Sequence, residues 1–83
     1  MENVVVEIEL AATEERIEAV LPVDRPLREL LNELIPQIEL SRNNIMFDMN
    51  DVIVCDKDQG IILNLGCTIR EAGVSSGSRI LLC

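Results

Sequence analysis

Residues 3 to 10, NVVVEIEL, alternate with period two: Val4, Val6, Ile8 and Leu10 share one face, and Val5, Glu7 and Glu9 the other. Side chains that alternate in this way can bury one set together only as a strand, so the segment demands a sheet with one covered face. Ala-Ala-Thr-Glu at 11 to 14 breaks the rhythm, and Arg16 to Leu21 restores it. There Ile17, Ala19 and Leu21 oppose Arg16, Glu18 and Val20. Two strands so near in sequence pair as an antiparallel hairpin.

A helix to cover that face follows directly. In VDRPLRELLNELIPQIEL, Leu27, Leu30, Leu31, Leu34 and Ile35 recur at threes and fours, while Arg28, Glu29, Asn32 and Glu33 take the other side. Asp24 is the expected N-cap, with Pro26 in the first turn, where its missing N–H costs nothing. Pro36 is expected to end the helix near Ile35, or to bend it if Ile38 and Leu40 continue the stripe.

The second half is punctuated more finely. Ser41 to Asp51 reads as a connection whose Ile45, Met46, Phe47 and Met49 plug the core. A strand is expected over Asp51 to Asp56, a turn over Lys57 to Gly60, and a short return strand over Ile61 to Leu65. Thr68-Ile69-Arg70-Glu71 has the spacing of a capping box, and Gly73 supplies a left-handed stop. Ser75-Ser76-Gly77 turns the chain into a last strand, Ser78 to Cys83. The first and last strands are the natural parallel neighbours at the centre of the sheet. This order gives an α+β architecture, a mixed sheet of four to five strands packed on one main helix.

Composition narrows the function. The 83 residues form one domain, 48% hydrophobic, with Phe47 as the single aromatic, so the core must be aliphatic. There is no histidine, which removes the usual general base and the commonest metal ligand, and with them any Ser-His-Asp or Cys-His arrangement. A net charge of −8 with one lysine, Lys57, and no aromatic platform disfavours nucleic acid. Cys55, Cys67 and Cys83 contain no CxxC pair and read as reduced, small apolar residues, with Cys83 open to oxidation. Asp48, Asp51, Asp56 and Asp58 lack the spacing of a calcium loop and read as turn residues. No cofactor or metal site is expected. The N-terminus has no basic-then-apolar leader, and no apolar run approaches the roughly 20 residues that span a bilayer. A soluble, cytoplasmic domain without direct membrane insertion is the expectation.

The segment Leu65 to Leu82 carries the pattern Thr-apolar-x-x-x-Gly-apolar-x-x-Gly-x-x-apolar-x-apolar. With the opening hairpin and helix, it resembles a ubiquitin-like β-grasp domain across nearly the whole chain. In size and boundaries it is most similar to the YukD/EsaB family, small bacterial proteins associated with type VII (WXG100, ESAT-6-type) secretion systems. Modifiers and sulfur carriers of this superfamily end in a flexible Gly-Gly tail, whereas this sequence ends Arg79-Ile80-Leu81-Leu82-Cys83, inside the last expected strand. The resemblance therefore implies a non-catalytic, tail-less adaptor that binds a protein, such as a cytoplasmic segment of a membrane secretion component. The alternatives are a modifier or sulfur carrier with a truncated tail, and a ubiquitin-like domain excised from a larger membrane or signalling protein.

Two surfaces are candidates for binding. Up to Ser41 the chain holds ten acids and three bases; from Arg42 it holds five and four. Glu29 and Glu33, one helical turn apart, belong either to a solvated face or to a docking face for a basic partner. Several strands also carry apolar residues at both parities, so some must lie on the open face of the sheet. Val5, Ile53 and Leu81, with Arg79 at the rim, are either scattered exposed residues or a protein-binding patch. An exposed strand edge also makes a dimer plausible.

Overall fold

The computed structural model describes residues 2–41, 47–48 and 50–83. β1 (Asn3–Leu10) and β2 (Arg16–Pro22) form the expected antiparallel hairpin, with Val5 opposite Val20 and Glu9 opposite Arg16. The turn between them places Glu14 at φ 60°, and the amide of Glu14 donates to the Leu10 carbonyl at 2.8 Å. α1 (Leu27–Ser41) follows, then β3 (Val54–Asp56), β4 (Ile61–Ile62), α2 (Ile69–Ala72) and β5 (Arg79–Leu82). The five strands lie in the order β2-β1-β5-β3-β4. β1 and β5, the first and last strands, are parallel neighbours at the centre, as the sequence predicts; the other pairings are antiparallel.

One face of this sheet is covered. Val4, Val6, Ile8 and Leu10 of β1, Val54 of β3, and Ile80 and Leu82 of β5 are buried with Leu27, Leu30, Leu31, Ile35 and Ile38 of α1. Burying each such aliphatic side chain contributes roughly 1.5–3 kcal/mol. The packing leaves a void of only about 20 Å³, lined entirely by aliphatic residues including Ile8, Leu31 and Ile69. Branched side chains thus fill this core without aromatic rings.

The helix departs from expectation at its N-terminal end. Asp24 is not its N-cap. The Leu27 and Arg28 amides donate instead to the carbonyls of Cys67 and Leu65, each at 2.9 Å. The neighbouring loop does the capping, and the Asp24 carboxylate is free to accept from Arg70 Nε at 2.9 Å. Of the two courses expected at Pro36, a stop near Ile35 or a continuation of the stripe, the helix takes the second. The helix runs on to Ser41 because Ile38 continues the buried stripe, while Leu40 points to solvent. Phe47 is half-buried against the core and its amide donates to Glu39 Oε2 at 2.9 Å. The expected plugs Ile45, Met46 and Met49 lie outside the described residues.

The later strands are shorter than their apolar runs. β3 covers only Val54–Asp56 of the expected Asp51 to Asp56, because Asp51 lies in a turn held by its amide to the Asp48 carbonyl. β4 covers Ile61–Ile62 rather than Ile61 to Leu65, and Leu63 turns inward to the core. β5 spans Arg79–Leu82, one residue shorter at each end than Ser78 to Cys83. The capping box forms as read: Thr68 accepts from the Glu71 amide at 3.1 Å, and Glu71 Oε1 accepts from the Thr68 amide at 2.9 Å. Gly73 closes α2 at φ 74°.

Candidate interaction surface

The sheet register determines what the uncovered face presents. Residues paired across strands share a face, so Arg16, Glu9, Leu81, Cys55 and Ile62 form one continuous row from β2 to β4. Glu18, Glu7 and Arg79 form the next row, and Val20 and Val5 the row beyond. At the other end, Ile53 exchanges backbone hydrogen bonds with Cys83, at 3.2 and 2.9 Å.

Val5, Ile53 and Leu81 therefore do not form one patch. Leu81 joins Cys55 and Ile62 across three adjacent strands spaced about 4.8 Å apart, and Ile53 lies two residues along from Cys55. Val5 pairs with Val20 on the hairpin, four residues before the Glu9 that faces Leu81, or about 13 Å along the strand. The Glu7–Arg79 row intervenes. Ile62 and Val20 are the two most accessible apolar residues of the sheet, at 71% and 61%, against 45% for Ile53 and 39% for Val5. Val20 shares the parity of Glu18, so its outward position was readable from the hairpin. Ile62 was not readable, because the run Ile61-Ile62-Leu63 has no alternation.

Apart from Glu18, the charged middle of the face is internally paired. Arg16 Nε lies 3.4 Å from Glu7 Oε1 and 3.5 Å from Glu9 Oε1, and Lys57 Nζ lies 3.1 Å from Glu9 Oε1. The Lys57 hydrogen bond, reinforced by the positive charges of Lys57 and Arg16, holds the Glu9 carboxyl below its usual range. Arg79, expected at the rim, is pinned by Asp58: its Nε and Nη2 lie 3.0 and 2.9 Å from Asp58 Oδ1. Apolar surface thus lies on either side of a charged band in which Arg79 is paired rather than free.

The helix acids are likewise engaged. Arg25 Nη1 and Nη2 hold the two carboxylate oxygens of Glu33 at 2.9 and 2.8 Å, and Nη2 also reaches Glu29 Oε1 at 3.3 Å. This fork, chiefly the hydrogen bond to Arg25, depresses the Glu33 carboxyl and raises the Arg25 guanidinium. Glu29 and Glu33 lie on the helix, away from the open sheet face, so the two candidate surfaces are separate.

The aspartates act in turns. Asp48 Oδ1 accepts from the Asn50 amide at 2.9 Å. Asp56, only 1% exposed, accepts from the amides of Asp58 and Gln59 and from Gln59 Nε2, the last at 2.6 Å. No group of His, Cys, Asp or Glu that could hold a metal occurs among the described residues. Cys55 and Cys67 are half-buried and Cys83 is exposed, so none of the three is a fully buried core residue. No helix among the described residues is long and apolar enough to cross a membrane.

A hairpin, a covering helix and a parallel β1–β5 pair in a sheet ordered β2-β1-β5-β3-β4 define a ubiquitin-like β-grasp domain. Solved structures bear out that fold. The chain is similar to the ubiquitin-like domain of the type VII secretion system protein EccD1 of Mycobacterium tuberculosis, with 19% identity and a TM-score of 0.75 over 99% of this chain and 98% of that one. It is also similar to the EccD5 ubiquitin-like domain of Mycobacterium xenopi, with 20% identity and a TM-score of 0.79 over 100% and 94% of the two chains. A ubiquitin of Caldiarchaeum subterraneum superposes at a TM-score of 0.74 with 12% identity, over 98% and 91%. No family model and no curated protein matches the sequence.

Proposed function

We propose that this domain is a non-catalytic protein-binding module of a type VII (WXG100) secretion system, of the YukD/EsaB kind, acting in the cytoplasm. The observation that carries this reading is the apolar cluster Leu81–Cys55–Ile62, extended by Ile53, on the uncovered face of a ubiquitin-like sheet. Whole-length similarity to two EccD ubiquitin-like domains supports the secretion setting. The lack of histidine supports a binding rather than a catalytic role. The partner is a cytoplasmic protein segment, docked on the apolar cluster and oriented by the acidic hairpin and helix.

Each of those two neighbours is a ubiquitin-like domain of a secretion protein, which favours one second reading: a domain belonging to a larger secretion-system chain. The length of the reading frame separates the two. The binding reading itself is tested by calorimetric titration of the domain with cytoplasmic segments of the type VII membrane components encoded in the same genome. Saturable binding that Ile62→Lys weakens at least tenfold is expected, a loss of about 1.4 kcal/mol. Unchanged binding by a folded Ile62→Lys variant would place the interface elsewhere, and binding to none of the segments would remove the secretion assignment.

A further inference from the structure

The hairpin register sets Glu7 of β1 directly opposite Glu18 of β2, both on the open face of the sheet. Leu10 donates to the Glu15 carbonyl and Val23 to the Glu2 carbonyl. By the alternation of an antiparallel ladder, Glu7–Glu18 and Val5–Val20 are then the pairs without ladder bonds. At such pairs the facing side chains come closest, with Cα atoms about 4.5 Å apart, and like charges placed there oppose folding. The hairpin does not relieve this conflict. Arg16 Nε is shared between Glu7 and Glu9, at 3.4 and 3.5 Å. The exposed Glu18 has no charged or hydrogen-bonding partner among the described residues.

Beside these acids lies uncovered apolar surface. Val5 and Val20, both exposed, are the next outward pair along the hairpin, about 7 Å away. The Leu81–Cys55–Ile62 cluster lies on the other side of the acids, in the row of Glu9 and Arg16, so the valines are a second surface. An aliphatic pair adjoining an uncompensated acid is complementary to an aliphatic side chain set next to a cation. A second copy of this chain is a poor source of that cation. Its Arg16, Arg25, Lys57, Arg70 and Arg79 are already paired, and it carries a net charge of −8.

The face also restricts the occupant's conformation. Backbone groups in the middle of a sheet bond to neighbouring strands and offer nothing to a segment lying on top. Such a segment must satisfy its own backbone, as a helix does. One helical turn, about 5.4 Å, spans the step from the valines to the acids within the reach of a long basic side chain. We propose that Val5, Val20, Glu7 and Glu18 form a docking surface for an amphipathic helix of another protein, carrying aliphatic residues and, one turn further on, Lys or Arg. This surface stands independently of the secretion assignment.

The test is an amide chemical-shift titration of the whole domain with the alanine-based helical peptide acetyl-Ala-Gln-Leu-Ala-Ala-Leu-Lys-Ala-Gln-Lys-Ala-Ala-Gln-Ala-amide. A second peptide has glutamine in place of both lysines. Perturbations are expected at Val5, Glu7, Glu18 and Val20, with the lysine peptide binding more tightly and losing that advantage in about 0.5 M salt. Val20→Lys should weaken the lysine peptide roughly tenfold or more. Glu18→Lys should weaken it likewise, and should also raise the thermal midpoint of the free domain, because an opposite-charge pair replaces a like-charge one. A merely structural Glu18 would not couple a more stable fold to weaker binding. Should Val20→Lys fail to fold, Glu18→Lys carries the test. Perturbations confined to the Leu81–Cys55–Ile62 cluster, equal binding of the two peptides, undiminished binding by Glu18→Lys, or no perturbation at about 1 mM peptide would overturn the proposal.

Discussion

Asp58 binds Arg79 twice: its Oδ2 accepts the Arg79 backbone N–H at 2.9 Å, while its Oδ1 takes the guanidinium Nε at 3.0 Å. One carboxylate thereby fixes both the start of β5 and the direction of its first exposed side chain.

The backbone hydrogen bond from Arg79, then the one from its side chain, lowers the Asp58 carboxyl below its usual value. A group depressed on folding contributes stability above its unfolded value of about 3.9, and loses it as pH falls through the folded value. The urea midpoint of the parent should therefore exceed that of Asp58→Asn at pH 7, and the gap should close as pH falls from about 5 toward 2. A gap independent of pH would show that the charge of Asp58 is immaterial.

Asp56 presents a different case, because its carboxylate is buried and its acceptors serve the turn 57–60. Asp56→Ala leaves the Asp58 and Gln59 amides and the Gln59 side chain short of a partner. It should cost about 2–3 kcal/mol in denaturant unfolding. Asp56→Asn retains one acceptor oxygen and should recover part of that loss.

Two positions with positive φ should respond in opposite directions. Glu14, at φ 60°, adopts a left-handed conformation that glycine accepts without strain, so Glu14→Gly should be stabilising or neutral. Gly73, at φ 74°, should lose about 1–2 kcal/mol on replacement by alanine. The added Cβ would meet only Gln59 at 3.7 Å, an ordinary contact, so the loss is backbone strain rather than a clash. Paired thermal melts measure both effects.

Pro36 sits exposed inside α1. It withholds an amide from the Asn32 carbonyl, at a cost of up to about 3 kcal/mol, partly offset by a stiffer unfolded chain. Pro36→Ala should therefore raise stability by about 1–2 kcal/mol. An unchanged or lowered melting temperature would mean that the helix already accommodates the proline at no cost.

What was legible in the sequence was local in origin. The β1 alternation, the helix stripe and the Thr68–Glu71 box each rest on residues within a few positions of one another, where spacing alone decides geometry. What escaped reading depended on distant partners. The helix N-terminus is capped by the carbonyls of Leu65 and Cys67, some forty residues away in sequence, and no local feature of Asp24 signals that. The separation of Val5 from Leu81 is a matter of register between the first and last strands, which neither strand specifies by itself. An open groove between β2 and α1 arises from Ala19 in the hairpin and Leu34 on the helix, each unremarkable until the helix is set across the sheet.

The central position of β5 bears on how this chain comes off the ribosome. The β1–β2 hairpin and the β3–β4 pair touch opposite sides of Arg79–Leu82, and among the described residues no other strand joins them. Both halves can be synthesised, and α1 can coil, while the sheet still has a gap at its middle. Such long-range closure is slow relative to local helix and hairpin formation. Until the last strand clears the exit tunnel, the inward side chains of β1 and β3 lie beside an empty slot, so the nascent domain is most open to misassociation just before it is finished.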